Sequence, residues 1–336
     1  MTESYSIGVD LGGTNLRIAA YAAGTDFLET VYLPTRLDAG RDRVVRDMCE
    51  AIAALSKKNY GGRRLAGVGV GTPGPLELPA GVLRNPPNLH GWDGFQLKSA
   101  IESTLGREIE IESDGNLAAL AEQKLGAGKT QGIDSLCMLT LGTGVGNGLI
   151  LDGKIWCGFT GMGGEGGHII VEPHDGAPCG CGGSGCLEQY ASALAVVRLA
   201  GELMGTEAPT SSHEVAMLAE EGNKQAIQVF RKVGWSLAIG LTSLINTLNL
   251  PLNLIGGGVS EAWDLFAPVM FEELRRRSYV YRLTEPGMRE PSRVEPNKTY
   301  VQLAELGSTA GLLGACLLPL QAKTTQSESK ENTFVA

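Results

Sequence analysis

The sequence lacks the features of a membrane or secreted protein. Nowhere does it contain the run of about 20 apolar residues that a membrane-spanning helix needs. Its first residues contain no basic segment followed by an apolar run, so they do not resemble a secretory signal. These absences predict a cytoplasmic protein without a membrane partner.

Positive charge is also scarce. Lys and Arg together number 28 against 37 Asp and Glu, which gives a formal net charge of −9. A protein that binds nucleic acid needs a surface that neutralises phosphates. The charge balance therefore argues against nucleic acid as a partner.

Glycine, in contrast, is abundant, and its 47 residues form tight clusters between apolar runs. Such clusters mark places where the backbone approaches a ligand or another segment closely. The 336 residues are enough for two domains. Strand-like runs and helical periodicity alternate along the chain, and the two halves suggest one βββαβα order. The sequence thus predicts an α/β protein of two related halves.

Two of the glycine clusters lie between predicted strands. Residues 10–15 are DLGGTN and residues 142–148 are GTGVGNG. Glycine lets backbone N–H groups converge on a phosphate, and Asp10 is able to hold Mg²⁺ directly or through water. An ordinary hairpin turn with a solvated Asp is the alternative for residues 10–15. A dinucleotide-binding fingerprint is disfavoured at 142–148 because a strand, not a helix, follows it.

Asp114 lies where a predicted strand gives way to a predicted helix. A carboxylate held rigidly at such a place is a candidate general base. Because Asp and Ser are favoured at helix N-termini, a residue that only caps the helix is the alternative.

Three of the seven cysteines crowd into one glycine-rich loop. Cys179, Cys181 and Cys186 follow His168 closely, and three thiolates with one imidazole form a closed tetrahedral Zn²⁺ set. A zinc ion with four protein ligands has no open position for water, so such a site stabilises the structure and does not activate water. The alternative is a loop of free cysteines.

Glu165 and Glu188 flank this cluster. A metal that draws the loop together would fix both carboxylates and leave the second nitrogen of His168 free to form hydrogen bonds. Such a group suits a polyol, whose hydroxyls each need a donor or an acceptor. Glutamates that are only surface charges are the alternative.

Taken in order, these motifs resemble the ROK family of sugar kinases and sugar-responsive regulators, from residue 10 to about residue 314. The features that carry the resemblance are residues 10–14, 71–75 (GTPGP), Asn88 with Leu89, Gly91 with Trp92, Asp114 with Asn116, 142–146, 164–168, 179–188 and 256–260 (GGGVS). Two positions depart from the family pattern: Ser113 replaces the usual Asn, and Gly166 replaces a larger apolar residue.

The resemblance implies the actin-like ATPase fold (ribonuclease H-like), an α/β fold of two domains with the active site in the cleft between them. A small domain would comprise residues 1–121 and 307–320, and a large domain residues 122–306. Residues 321–336 are polar and poor in apolar side chains, which predicts a disordered tail.

The resemblance also implies roles for individual residues. Asp114 would be the general base on the sugar 6-hydroxyl. The residues implied in sugar binding are Asn88, Ser113, Asp114, Glu165, His168 and Glu188. Those implied in ATP binding are Asp10, Gly12, Gly13, Thr14, Asn15, Gly142, Thr143, Gly144, Val145, Gly256, Gly257 and Gly258. The implied Zn²⁺ ligands are His168, Cys179, Cys181 and Cys186, and Asp10 would serve Mg²⁺.

The implied activity is the phosphorylation of a hexose by Mg-ATP in a homodimer or higher homo-oligomer. Glucose is favoured because residues 87–89 and 91–92 resemble the glucokinase branch. A kinase for N-acetylglucosamine, N-acetylmannosamine, mannose or fructose, or one using polyphosphate, is the alternative. A transcriptional regulator is disfavoured because the first phosphate loop begins within the first ten residues, which leaves no room for a helix-turn-helix.

Overall fold

The computed structural model describes residues 4–287 and 294–331. Its strands are β1 (Ser4–Leu11), β2 (Asn15–Tyr21), β3 (Phe27–Pro34), β4 (Arg64–Thr72), β5 (Leu76–Glu77), β6 (Val82–Leu83), β7 (Glu110–Ser113), β8 (Leu136–Leu141), β9 (Val145–Leu151), β10 (Lys154–Ile155), β11 (Leu252–Gly256) and β12 (Tyr300–Leu303). Its α-helices are α1 (Arg41–Ser56), α2 (Leu97–Leu105), α3 (Asp114–Lys124), α4 (Ala127–Gln131), α5 (Glu188–Ala191), α6 (Ala193–Met204), α7 (Ser212–Glu220), α8 (Lys224–Leu248), α9 (Trp263–Arg277), α10 (Tyr279–Thr284) and α11 (Ala310–Glu331).

The chain divides into two compact units. The first unit contains the described residues of Met1–Ala121, Trp156–Gly163 and Thr309–Ala336, and the second contains those of Glu122–Ile155 and Gly164–Ser308. The sequence prediction does not include Trp156–Gly163 in the first unit, because nothing in its composition sets it apart from its neighbours.

The first unit is built on a five-stranded sheet of order β3-β2-β1-β4-β7. Strand β1 pairs antiparallel with β2 and parallel with β4, which pairs parallel with β7. Apolar side chains recur at helical spacing along α1 and are buried against this sheet. Helix α11 also packs on the sheet, at a distance that only glycine permits. A Cβ atom at Gly8 would lie 2.5 Å from the backbone nitrogen of Cys316.

The second unit repeats this plan with a five-stranded sheet of order β10-β9-β8-β11-β12. Strand β8 pairs antiparallel with β9 and parallel with β11. The long helix α8 has a nearly continuous buried face, and α5, α6, α7 and α9 pack around it. The matching strand order confirms the two related halves that the sequence suggests.

The sequence predicts a disordered tail from residue 321, whereas the structure continues the backbone of α11 to Glu331. Residues 321–331 are polar, but they contain neither Gly nor Pro and include Ala, Gln, Lys and Glu, which favour a helix. Residues 332–336 of that prediction lie outside the described residues. No helix in the described part of the chain is both long and apolar enough to cross a membrane.

Candidate active site and metal centre

The first phosphate loop closes the hairpin between β1 and β2. Inside the loop, the backbone nitrogen of Gly12 donates to the carbonyl of Asn15 over 2.9 Å, and Thr35 Oγ1 donates to the carbonyl of Gly12 over 2.7 Å. Asp10 lies opposite Arg17 in the hairpin register, and Asp10 Oδ2 accepts a hydrogen bond from Arg17 Nε over 2.8 Å. The loop is therefore held from both sides, and the charge of Asp10 is already paired.

Asp10 and Asp114 belong to the same edge of the first unit's sheet. The parallel strands β1, β4 and β7 run in register, with Asp10 beside Gly71 and Thr72 beside Ser113. Because the carboxyl ends of parallel strands meet at one edge, the phosphate loop and the start of α3 lie along that edge. This placement suits a base and a phosphate site that act together.

The capping contact at the start of α3 comes from Ser113. Its Oγ accepts a hydrogen bond from the backbone nitrogen of Asn116 over 3.4 Å, which is the position a capping side chain serves. Asp114 is the first residue of the helix, and its exposed carboxylate accepts from the backbone nitrogen of Gly115 over 2.7 Å. The apolar spacing of the sequence predicts this helix from Leu117 to Leu125, and in the structure it begins three residues earlier, at Asp114. Ser113 and Asp114 thus each accept one N–H of the first helical turn, and Asp114 is exposed at the strand end.

Glu112, which the sequence analysis does not single out, is the buried support of this segment. Its Oε1 accepts hydrogen bonds from the backbone nitrogen of Ser113 over 2.8 Å and from Asn116 Nδ2 over 3.1 Å. Burial raises the pKa of Glu112, and these two donors oppose the rise. Burial and the charge of Glu112 likewise raise the pKa of the Cys157 thiol. The sequence signal for the supporting role of Glu112 is a glutamate inside a buried strand, directly before the Ser-Asp pair.

Asn88 lies beside the first phosphate loop. A Cβ atom at Gly13 would stand 3.1 Å from the carbonyl oxygen of Asn88, and the residue itself is exposed. Buried Leu89 and Trp92 hold the segment, and Trp92 packs edge-on against Phe95. The first unit thus brings its predicted sugar and phosphate residues to neighbouring positions.

The second phosphate loop closes the hairpin between β8 and β9, and Glu188 holds it. Glu188 Oε2 accepts a hydrogen bond from the backbone nitrogen of Val145 over 3.0 Å. A Cβ atom at Gly144 would lie 2.3 Å from the same oxygen, so a side chain there would displace the Glu188 carboxylate. The backbone nitrogen of Gly142 donates to the carbonyl of Gly144 over 2.9 Å. Glu188 therefore shapes this loop, a role the sequence analysis does not predict.

The glycines that follow β11 lie against the same loop. Gly257 has φ +86°, a conformation that favours glycine, and a Cβ atom there would lie 2.5 Å from the carbonyl oxygen of Leu141. Leu141 is the last residue before the second phosphate loop. Residues 256–258 are thus placed beside residues 142–146 within the second unit.

Four side chains of the second unit form one metal-type cluster. The ligand atoms of His168, Cys179, Cys181 and Cys186 all lie within 4.8 Å of one another. Cys181 Sγ is 3.7 Å from Cys186 Sγ, and Cys179 Sγ is 3.6 Å from His168 Nδ1. Zinc–sulfur bonds of about 2.3 Å at tetrahedral angles put two sulfurs roughly 3.8 Å apart. The geometry of the cluster therefore fits a tetrahedral metal ion.

The cluster connects to both flanking glutamates. His168 turns Nδ1 toward the cysteines and Nε2 toward Glu165, whose Oε2 is 3.8 Å away. Glu188 Oε1 lies 3.9 Å from Cys179 Sγ. Loss of water around Glu165 raises its pKa, the nearby Glu188 adds to the rise, and His168 opposes it. Two carboxylates and one imidazole nitrogen are thus fixed around the cluster.

The predicted site residues fall into two sets, one in each unit. The first unit holds Asp10, Gly12, Gly13, Thr14, Asn15, Asn88, Ser113 and Asp114. The second unit holds Gly142, Thr143, Gly144, Val145, Glu165, His168, Cys179, Cys181, Cys186, Glu188, Gly256, Gly257 and Gly258.

The chain belongs to the ROK family, whose family model matches residues 6–322. It is 31% identical over 345 residues to a glucokinase of Halalkalibacterium halodurans, a match that covers 98% of this chain and 99% of the relative. Family membership confirms the resemblance seen in the motifs.

Two solved structures share the fold. A ROK hexokinase from Thermus thermophilus has a TM-score of 0.77 and 33% identity, covering 95% of this chain and 99% of its own. A ROK family glucokinase from Streptomyces griseus, in complex with glucose and AMPPNP, has a TM-score of 0.77 and 31% identity, covering 95% of this chain and 100% of its own. The predicted actin-like ATPase fold is thereby confirmed.

Proposed function

We infer that the chain is an ATP-dependent hexokinase that phosphorylates the 6-hydroxyl of glucose. The observation that carries this function is the exposed Asp114 carboxylate at a strand end, next to a serine that also accepts an N–H of the helix's first turn. The similarity to a glucokinase and to a glucokinase complex with glucose and AMPPNP supports glucose as acceptor and ATP as donor.

In this mechanism Asp114 accepts the proton of the 6-hydroxyl as the hydroxyl oxygen attacks the γ-phosphorus of ATP. The bond from that phosphorus to the β–γ bridging oxygen breaks, and ADP leaves with the electron pair of that bond. A positioned base is typically worth about 10²–10⁴ in rate. Phosphoryl transfer otherwise depends on positioning and on charge stabilisation. Buried Glu112 keeps the start of α3 in place through Ser113 and Asn116, so that Asp114 is presented in one position.

The remaining hydroxyls of the sugar are assigned to Glu165, His168 and Glu188, with further contacts from Asn88 and Ser113. His168 offers Nε2 because Nδ1 faces the cysteines. A site whose polar groups are left unpaired by the wrong hydroxyl pattern discriminates strongly between sugars. Glu188 has a second task, because one of its oxygens also holds Val145.

The phosphates of ATP are assigned to the two glycine loops, and the adenosine to residues 256–258. In the second loop, Gly142 and Val145 donate their N–H groups to protein atoms, so Thr143 and Gly144 are the donors we assign to phosphate. Asp10 would hold Mg²⁺ through water, because Arg17 already engages one of its oxygens. The ion would neutralise charge on the transferring phosphoryl group.

We assign Zn²⁺ to the cluster of His168, Cys179, Cys181 and Cys186. The set is closed, so the ion would organise the sugar-binding residues and take no part in proton transfer. We also propose that the enzyme is a homo-oligomer and works in the cytoplasm, where ATP is available and thiols remain reduced.

The test is a substrate panel in a coupled assay with Mg-ATP. Glucose should give a higher kcat/KM than N-acetylglucosamine, N-acetylmannosamine, mannose or fructose, and ATP should be a better donor than polyphosphate. A higher value for another sugar would overturn glucose as the substrate. A lack of activity with every sugar in the panel would overturn the proposal that the chain is a sugar kinase.

A further inference from the structure

A buried amide lies beneath the turn that carries two of the sugar-binding residues. Asn147 of β9 is 6% exposed, and its Nδ2 donates to the carbonyl of Met138 over 2.9 Å and contacts Cys137 Sγ at 3.2 Å. Among the residues that the structure describes, no donor reaches Asn147 Oδ1. A buried polar atom without a partner is uncommon and calls for a reason.

That oxygen faces Gly166. A Cβ atom built on Gly166 would lie 2.7 Å from Asn147 Oδ1, 2.9 Å from its Cγ and 3.0 Å from its Cβ. Non-bonded carbon atoms have their optimal separation at about 3.5–4.0 Å, so a side chain at 166 and an asparagine at 147 exclude each other. Glycine is therefore the residue that fits at 166 while the Asn147 side chain occupies this space.

The turn above Asn147 is the 3₁₀ helix Gly166–His168, and it lies directly on the backbone of β9. A Cβ atom at Gly167 would stand only 2.0 Å from the carbonyl oxygen of Val145. The backbone nitrogen of His168 donates to the carbonyl of Glu165 over 3.0 Å, so these two side chains move with the turn. Any displacement of the turn from β9 would move both side chains together.

We propose that Asn147 and Gly166 are a matched pair of positioning residues for Glu165 and His168. The amide is fixed to β8 through Met138, and its oxygen lies 2.7 Å from the point where a Cβ atom of residue 166 would stand, so the turn lies where it does only without a side chain at 166. The pair thereby determines how far the turn lies from β9, and so which sugar hydroxyls the two side chains reach. The inference rests on the proposed function, because it assigns the pair to the sugar site of that same reaction.

The test is a double-mutant cycle with Gly166→Ala, Asn147→Gly and the combined variant. Gly166→Ala should raise the KM for glucose about tenfold. An effect of this size lies within the range of interaction energies measured between residues in direct contact. The KM for ATP should change by less than about threefold, because the second phosphate loop, residues 142–146, is not expected to move. The combined variant should recover a glucose KM within about threefold of the parent, since removal of the amide makes room for the methyl group.

Gly201→Ala is the matched control, because nothing lies within 4 Å of a Cβ atom at that position of α6. It should leave both KM values unchanged. A folded Gly166→Ala enzyme with the parent's glucose KM would overturn the proposal. So would a combined variant whose fold-change in the glucose KM equals the product of the fold-changes of the two single variants. If Gly166→Ala does not fold, recovery of fold and glucose KM in the combined variant supports the pair, and failure of that variant contradicts it. The proposed function is judged separately, from the parent's own activity with glucose.

Discussion

The two glycine hairpins occupy equivalent places in two sheets of matching strand order, but their polar partners differ. In the first unit the hairpin carries its own charges, Asp10 and Arg17, on facing positions of β1 and β2. At the corresponding register of the second hairpin, Thr140 faces Gly146. There the carboxylate comes from outside the sheet. It belongs to Glu188, which lies near Cys179 of the cluster and accepts a hydrogen bond from the Val145 N–H.

This difference indicates a division of labour between the units. The first unit holds Asp10 and Asp114 at one edge of its own sheet, where strands fix them. In the second unit, Glu165 and His168 belong to the turn that includes the 3₁₀ helix Gly166–His168, and Glu188 begins α5 directly after the cysteine loop. Under the proposed function, a regular sheet would suffice to position the groups assigned to the transfer, whereas the groups assigned to the sugar would need a metal ion to organise their loop.

The largest effect that would test this division is expected from Asp114→Asn. The substitution removes the proton acceptor but keeps the size of the side chain, so kcat should fall at least about 100-fold while the KM for glucose changes much less. Steady-state kinetics with a thermal melt for folding measure it. Asp42→Asn is the matched control, because Asp42 lies in the first turn of α1. A kcat within a few-fold of the parent for Asp114→Asn would place the base elsewhere.

A smaller effect, confined to the second unit, is expected from Cys181→Ala. Loss of one thiolate should remove the ion and raise the KM for glucose about tenfold or more, since residues that orient a metal site typically contribute 10–100-fold. Metal analysis of the purified parent should find one Zn²⁺ per chain. Cys49→Ala, at a buried thiol outside the cluster, should retain the metal. A zinc-free Cys181→Ala enzyme with normal kinetics would refute the organising role.

The smallest effect is expected from a comparison of two substitutions at Glu188. Glu188→Gln keeps an oxygen for the Val145 N–H, so the KM for ATP should stay within about threefold of the parent while the KM for glucose rises. Glu188→Ala removes that acceptor as well, and both KM values should rise. Initial rates with each substrate varied in turn separate the two. An equal change in the KM for ATP in both variants would show that Glu188 does not shape the loop.

The sequence predicts the fold and the grouping of His168 with the three cysteines well because both depend on local patterns. Alternating apolar residues and glycine turns define β1 and β2, and the spacing of Cys179, Cys181 and Cys186 defines the cluster. Each of these signals extends over a few neighbouring residues. Residues 321–331 show the limit, because low hydrophobicity excludes a core but not a helix.

Contacts between distant segments are what the sequence does not predict. Glu188 is 43 residues from Val145, and the contact of Asn147 with Gly166 depends on how the turn lies on β9. Even Ser113, which the resemblance assigns to the sugar, caps α3 through a contact that depends on where the helix begins. Such roles arise from tertiary packing, so single residues or short motifs do not reveal them.

The division of labour is tested most directly by the binding of glucose, measured by isothermal titration calorimetry on Asp114→Asn and on Glu165→Gln. Asp114→Asn should bind glucose with a Kd within about threefold of the parent although it does not turn over, because it loses only the group that acts in the transition state. Glu165→Gln should bind about tenfold more weakly, because it loses a charged hydrogen-bond acceptor for a hydroxyl. Loss of glucose binding in Asp114→Asn together with unchanged binding in Glu165→Gln would contradict the division.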